Sequence, residues 1–216
     1  MELHPPPAIV ELRQYTLHPG RRDALIALFD REFIETQEAV GMTVLGQFRD
    51  LGDPDRFVWL RGFASMPARA LALAAFYDGP VWRAHRAAAN ATMIDSDNVL
   101  LLRPVVDAAM PIDAWARDAG GPRAAAVLAI VAARDQDPGF APVIAQAGGE
   151  LVARYETEPG ANTFPGLPVR EGESVAVWLA RFADVRTCTQ VADALAHGPL
   201  APMQLLLLAP TPRSRF

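Results

Sequence analysis

The chain has 216 residues, of which 51% are hydrophobic and 21% are charged, proportions that are typical of a folded globular protein of one or two domains. Its formal net charge is −5 and all of its 20 basic residues are arginines, which argues against a nucleic-acid or anionic-membrane partner and excludes a catalytic lysine. The single cysteine, Cys188, excludes an internal disulfide. Because we recognise neither an apolar stretch of membrane-spanning length nor a leader, we expect a cytoplasmic protein.

The first half of the sequence predicts six elements in the order β-α-β-β-α-β. Residues 8–17 alternate as a strand does. The helix that follows has one apolar face, formed by Leu25, Leu28, Phe29 and Phe33. GMTVLGQFRD and DRFVWLRGFAS predict a hairpin, and Ser65 is placed to cap the next helix. After a second helical piece, VWRAHRAAANATM, the segment NVLLLRP predicts the closing strand. This order defines the ferredoxin-like fold.

The second half repeats this order in a degenerate form. Residues 109–123 contain two prolines, a Gly-Gly pair and residues of both charges, which predicts a linker between domains at 8–108 and 124–212. In the second domain the first helix is short, and a long loop rich in proline and glycine occupies residues 157–174.

Matching sequence anchors in the two halves support a tandem duplication. The pattern Val-Trp-Leu-x-x-Phe-Ala occurs twice, and its tryptophans, Trp59 and Trp178, are 119 residues apart. The same offset relates two further pairs of turn motifs: Pro19-Gly20 with Pro138-Gly139, and Gly79-Pro80 with Gly198-Pro199. Duplication of one domain, followed by divergence of the two copies, explains why three matching motifs are separated by the same 119 residues.

Five segments of the first half, in order, resemble the NIPSNAP family. They are VELRQYTLHPGRRDALIALF, VGMTVLGQF, VWLRGFAS, GPVWRAHR and NVLLLRPV, and the resemblance covers about residues 9–106. It implies an α+β fold of the dimeric α/β-barrel type, in which two four-stranded sheets close into a barrel, usually across a dimer. A tandem chain can supply both sheets, so we expect two ferredoxin-like halves in a monomeric pseudo-dimer or a homodimer.

Polar residues on two strands are the candidate site. Because side chains alternate across a strand, Glu11, Arg13 and Tyr15 share one face of the first strand, and Trp59 and Arg61 share one face of the third. The family topology implies that these strands are neighbours. We expect the aliphatic faces to contact the helices and the five residues to point into the barrel, as a small-molecule pocket. The alternative is a structural ion pair between Glu11 and an arginine.

The second half lacks this polar character. At the offset of 119, Glu11 corresponds to Ile130 and Arg61 corresponds to Ala180. If the ion pair were required to build the domain, the second copy would have kept it. The difference therefore favours a functional role for the cluster in the first half.

Three other residues have two interpretations each. His85 shares a helix face with Trp82 and is either a general base or haem ligand, or an ordinary helical histidine. Cys188 is either a small buried hydrophobe or a thiol activated by a helix N-terminus. Phe164 belongs either to a lid over one barrel mouth or to a plain surface loop. No residue spacing resembles a metal site, so we expect no metal and no cofactor, with haem at His85 as the alternative.

Two classes of function are compatible with these features. The first is a protein that binds a small, partly apolar molecule in a barrel pocket, with or without chemistry like that of the cofactor-independent monooxygenases that share the barrel. The second is a non-catalytic interaction or scaffold protein whose barrel is filled by its own side chains. The resemblance implies the fold and leaves the activity open, because unrelated functions occur on one fold.

Overall fold

The computed structural model of the protein describes residues 6–105, 124–134, 139–199 and 201–216. The predicted linker, 109–123, and the predicted end of the first domain, 106–108, lie outside the described residues. The strands of the first half are β1 (Ile9–Leu17), β2 (Thr43–Asp50), β3 (Arg56–Phe63) and β4 (Met93–Pro104). Its helices are α1 (Arg22–Leu28), α2 (Ile34–Glu38), α3 (Met66–Tyr77) and α4 (Pro80–Asn90), and a π-helical turn, Phe29–Phe33, joins α1 to α2.

The second half repeats the arrangement with two helices in its described residues. Its strands are β5 (Ala126–Ala133), β6 (Glu150–Thr157), β7 (Val175–Phe182) and β8 (Gln204–Pro210). Its helices are α5 (Phe140–Gln146) and α6 (Val185–His197). Strand β4 begins five residues earlier than NVLLLRP predicts, while Ser65 caps α3 as expected by accepting a hydrogen bond from the backbone N–H of Ala68.

The eight strands form one closed antiparallel barrel in the order β1-β3-β2-β8-β5-β7-β6-β4. Each half contributes four adjacent strands. The two sheets join where β2 pairs with β8 and where β4 pairs with β6, through three residue pairs each. The predicted fold class is therefore confirmed: two tandem ferredoxin-like halves form the barrel within one chain. No helix in the described parts of the chain is long and apolar enough to cross a membrane.

The barrel interior is filled by apolar side chains from both halves. Val10 and Leu12 of β1 pack there with Val127 and Ala129 of β5 in one buried cluster. Glu11, Arg13 and their neighbours on the same strand face point outward, into the layer between the sheet and the helices of the first half. The prediction that these polar residues point into the barrel is wrong. Alternation shows which residues share a face, but both faces of this sheet are buried, so it does not show which face is inside.

A substitution at Gly46 tests how tightly the barrel is filled. A Cβ atom there would lie 2.6 Å from Cζ of Phe48 and 2.8 Å from Cδ2 of Phe216, and both rings are buried. We expect Gly46→Ala to lower the free energy of unfolding by about 1–3 kcal/mol through overpacking, measured by urea denaturation. Gly52→Ala is the control, because a Cβ atom at Gly52 would lie at an ordinary contact distance from its nearest neighbour, Oδ1 of Asp50. Equal stability of the two variants would contradict a filled interior.

The strand registers refine the correspondence between the halves. Arg13 lies opposite Trp59, and Ile130 lies opposite Trp178. The counterpart of Arg13 is therefore Ile130, and the counterpart of Glu11 is Leu128 instead of Ile130. The offset of 119 holds for β3 and β7, but the connection after β5 is two residues longer than the one after β1. Gly20 and Gly139 begin the two helical regions with φ of 73° and 86°, left-handed values that glycine adopts readily.

Candidate functional site

A cavity lies between the outer face of the first sheet and its helices. Most of its wall is aromatic and comes from β1, β3 and the helical segments: Tyr15, Phe29, Phe33, Trp59, Tyr77 and Trp82. Gln37 of α2 adds an amide group. The space open to the centre of a water molecule is about 30 Å³, which accommodates roughly two water molecules. This small cavity lies outside the barrel, beside the sheet, and of the six candidate pocket residues only Tyr15 and Trp59 line it.

Next to this cavity, one buried carboxylate binds three buried arginines. Oε2 of Glu11 accepts hydrogen bonds from Nη1 of Arg13 at 2.8 Å and from Nε of Arg61 at 2.7 Å. Its Oε1 accepts from Nε of Arg69 at 2.6 Å. All four side chains are at most 1% exposed. We call these four residues the Glu11 cluster; one carboxylate and three guanidinium groups leave two positive charges in excess.

The arginines use other nitrogens to contact surrounding polar groups. Nε of Arg13 donates to the Tyr15 hydroxyl at 3.1 Å, and Nη1 of Arg61 donates to Oε1 of Gln37 at 3.2 Å. Both acceptors belong to residues that line the cavity. The Nη2 atoms of Arg61 and Arg69 are buried and have no hydrogen-bond partner within the described residues. The cluster is thus joined to the cavity wall and still has unused donors.

The pKa values reflect the imbalance of charge. Burial alone would raise the pKa of Glu11, but the charges of Arg61, Arg13 and Arg69 lower it far below its ordinary value of 4.5. The pKa of Arg69 is lowered, first by burial and also by the two neighbouring guanidinium groups, despite the opposing effect of Glu11. Burial likewise raises the pKa of the Tyr15 hydroxyl, which remains a proton donor at neutral pH.

Trp59 separates the cluster from the cavity. The guanidinium carbon of Arg61 lies 5.0 Å from the centre of its ring, and that of Arg13 lies 5.7 Å away, both within the range of cation–π attraction. Its Nε1–H is buried and has no hydrogen-bond acceptor in the described part of the chain. An unpartnered buried donor is costly.

His85 lies behind the cavity wall. Its Nε2 is 3.5 Å from Oε2 of Glu32, its side chain is 32% exposed, and its ring packs against Phe33. It is outside the set of lining residues, unlike Tyr15 and Trp59. The residues present do not fit a haem, since the cavity nearby has room for only a few atoms and the imidazole already faces a carboxylate.

The matching region of the second half is apolar. Leu128 and Ala180 occupy the positions of Glu11 and Arg61, and they pack with Ile130, Phe140 and Trp178 in one buried cluster. Arg154 lies over the Trp178 ring at 5.2 Å, much as Arg61 lies over Trp59. Cys188 is buried in this cluster, and burial followed by the charge of Asp184 raises its pKa to about 12. Of the two interpretations of Cys188, the structure therefore supports a small buried hydrophobic residue and not an activated thiol.

Sequence reasoning missed Arg69 of α3, Gln37 of α2 and Tyr77 at the end of α3. A signal for Arg69 was present: it lies three, four and seven residues before Ala72, Leu73 and Phe76, all buried, and so begins the apolar stripe of its helix. Gln37 shows no comparable signal, because the π-helical turn before it shifts the helical faces.

The Glu11 cluster makes stability sensitive to acid. Because the folded-state pKa of Glu11 is depressed, its contribution is fully present above the ordinary value of 4.5 and is lost as the pH falls below it. We expect this one group to lower the free energy of unfolding by about 1.4 kcal/mol per pH unit between pH 4 and 3. In carboxyl ¹³C NMR spectra, the Glu11 resonance should stay at its ionised position until the protein unfolds. Reversible protonation of Glu11 near pH 4.5 in the folded protein would contradict this.

Fold and site together define an α+β barrel protein with a small, mostly aromatic cavity on one outer face. Residues 10–109 match the NIPSNAP family model, in agreement with the five sequence segments of the first half. No curated protein matches the chain in sequence.

Solved structures share the barrel at low sequence identity. A candidate monooxygenase from Lactobacillus acidophilus NCFM aligns over 95% of this chain and 94% of its own, with a TM-score of 0.53 and 12% identity. Another candidate monooxygenase, from Fusobacterium nucleatum, aligns over 94% and 91%, with a TM-score of 0.51 and 9% identity. An uncharacterised NIPSNAP-like domain protein from Burkholderia xenovorans aligns over 45% of this chain and 84% of its own, with a TM-score of 0.42 and 28% identity. The first two matches show that the fold extends over both halves.

Proposed function

We propose that the cavity of the first half binds a small, partly apolar molecule that carries an anionic or carbonyl group. The observation that carries this proposal is the Glu11 cluster, which keeps two excess positive charges buried behind the aromatic wall at Trp59. Aromatic walls with a few converging polar groups are typical of small-molecule sites. The cluster and the unpartnered Trp59 Nε1–H together supply the polar part of such a site.

Electrostatics favours an anion over a cation in this cavity. A unit charge at about 8 Å contributes roughly 2 kcal/mol at the effective dielectric constant of a protein interior. Two uncompensated guanidinium groups therefore attract a carboxylate, phenolate or enolate and repel a cation. Tyr15, held by Arg13 at 3.1 Å, adds a hydroxyl group at the same end of the cavity.

The same arrangement supports a reaction of the cofactor-independent monooxygenase type. A substrate with an acidic CH₂ group beside a carbonyl would lose a proton to water and form an enolate, which the excess positive charge stabilises. Molecular oxygen would then add to that carbon, the peroxide anion would take a proton back from water, and loss of water from the resulting hydroperoxide would leave a ketone. In this balance, CH₂ and O₂ become C=O and H₂O, and the substrate supplies the electrons.

Native mass spectrometry of the purified protein, beside the denatured sample, tests the proposal. We expect additional mass on the native protein that is lost on denaturation and that matches an organic anion. Adding 1-naphthoate, an apolar carboxylate, to ligand-free protein should quench tryptophan fluorescence and saturate. A bare native mass together with no response to a series of aromatic carboxylates would refute the proposal.

The filled barrel interior favours a second candidate function, that of a non-catalytic interaction protein. Apolar side chains from both halves occupy that interior, so a surface could carry the activity. For this candidate, neutralising Arg61 should leave partner capture unchanged. For the ligand-binding proposal, the same change should weaken binding of the small molecule.

A further inference from the structure

We propose that residues 159–169 of the second half form a lid on the cavity of the first half, with Phe164 as the residue that limits ligand size. This inference rests on the proposed function, because it assigns the entrance of the same site. It also gives the degenerate half a role in binding, although its own equivalent of the site is apolar.

The segment is anchored to the first half at both ends. The backbone N–H of Glu158 donates to the carbonyl of Leu101 at 2.9 Å, and that of Arg170 donates to the carbonyl of Val99 at 2.8 Å. Both acceptors belong to β4, the strand beside β1. The residues in between have no helix or strand and arch from this edge towards α3. The lid thus crosses from the second half onto the sheet–helix layer of the first half, away from the barrel mouth that the sequence suggested.

One lid residue contacts the cavity wall directly. Phe164 stacks on Tyr77, with ring centres 6.1 Å apart and planes at 26°, and Tyr77 lines the cavity. Tyr77 in turn packs edge-to-face against Trp82, another lining residue, at 4.9 Å. Phe164 therefore covers this part of the wall from outside.

The lid also holds one member of the Glu11 cluster. Oδ1 of Asn162 accepts a hydrogen bond from Nη1 of Arg69 at 3.0 Å, and Oγ1 of Thr163 lies 3.3 Å from the same nitrogen. Asn162 also shapes the loop, since its Oδ1 accepts from the backbone N–H of Phe164 and its Nδ2 donates to the carbonyl of Leu167. Closure of the lid and placement of Arg69 are thereby connected.

The cavity leaves only about 30 Å³ for the centre of a water molecule, enough for roughly two water molecules, so a bulkier ligand requires part of the wall to move. The strands and long helices are fixed by regular hydrogen bonding and core packing. The lid is held between its anchors by side-chain hydrogen bonds and one stacked pair of rings, and such segments are the least stable parts of a fold. It is the element that can open without breaking the sheet.

The test compares wild type, Phe164→Ala and a control, Glu171→Ala, which changes an exposed residue of the same loop. Affinities and dissociation rates are measured with 1-naphthoate and with the larger 9-anthroate by stopped-flow tryptophan fluorescence. We expect Phe164→Ala to raise the affinity for 9-anthroate relative to 1-naphthoate at least tenfold and to speed dissociation of both. A merely structural role for Phe164 would lower thermal stability and leave this ratio unchanged, which would overturn the inference.

Hydrogen exchange separates failure of the lid from failure of the binding proposal. In the ligand-free wild type, we expect the amides of residues 159–169 to exchange at least a hundred times faster than those of β6 and β7. Exchange as slow as that of the strands would overturn the lid. If no carboxylate binds the wild type while the segment exchanges rapidly, the binding proposal fails and the mobile lid is retained.

Discussion

Replacing Glu11 by glutamine is expected to destabilise the protein by about 3–5 kcal/mol. The substitution keeps the size of the side chain but removes the single carboxylate that Arg13, Arg61 and Arg69 share. Three guanidinium groups would then remain buried next to one another without a counter-charge, and breaking a buried ion pair by removing one partner typically costs this much. Urea denaturation at pH 7 measures the change as a shift of the midpoint.

Glu156 provides a matched control for this experiment. It also pairs with two arginines, Arg103 and Arg134, but at partly exposed positions on the barrel surface. Because surface ion pairs contribute little, Glu156→Gln should change the free energy of unfolding by less than about 1 kcal/mol. Similar effects of the two substitutions would show that burial does not determine the importance of the Glu11 cluster.

Replacing Arg61 by methionine is expected to weaken binding of 1-naphthoate about thirtyfold while the protein remains folded. The apolar side chain has similar length and fills most of the space, and Glu11 retains Arg13 and Arg69 as partners. The change removes one of the two excess positive charges, worth roughly 2 kcal/mol at about 8 Å from the ligand. Fluorescence titration measures the affinity, and circular dichroism checks the fold.

Arg154→Met is the corresponding control in the second half. Arg154 lies 5.2 Å from the centre of the Trp178 ring, close to the 5.0 Å that separates Arg61 from Trp59. Since the second half carries no counterpart of the Glu11 carboxylate at Leu128, we expect this variant to bind 1-naphthoate as the wild type does. Unchanged affinity in Arg61→Met, or equal losses in both variants, would refute an electrostatic role for the cluster.

The sequence was sufficient to predict the order of elements, because each strand and helix had its own periodicity and its own turn residues. It also showed that Glu11, Arg13 and Tyr15 share a face, and the family resemblance implied that the strand carrying Trp59 and Arg61 is its neighbour. The register of β1 and β3 places Arg61 opposite Glu11 and Trp59 opposite Arg13. The direction of that face could not be predicted. A closed barrel buries both sides of the sheet, so an aliphatic face such as that of Val10 and Leu12 fits the interior as well as the helix side.

The remaining features of the site depend on contacts between distant segments. Asn162 reaches Arg69 across 93 positions of sequence, and no local pattern indicates such a pair. A constant offset of 119 residues pairs Glu11 with Ile130, because it does not account for the longer turn after β5. The strand register shows that the counterpart of Glu11 is Leu128. Local patterning therefore predicted the elements, while the position of the cavity and its lid follows from tertiary packing.

Covalent fusion of the two halves changes the number of sites that one barrel can hold. In an assembly of two identical chains, symmetry repeats every side chain, so each substitution alters two sites at once. Here the polar cluster of Glu11 is matched by Leu128 and Ala180 in the other half. If the first half binds a ligand as proposed, one barrel would bind one molecule, without cooperativity between equivalent sites, and each half can diverge independently of the other.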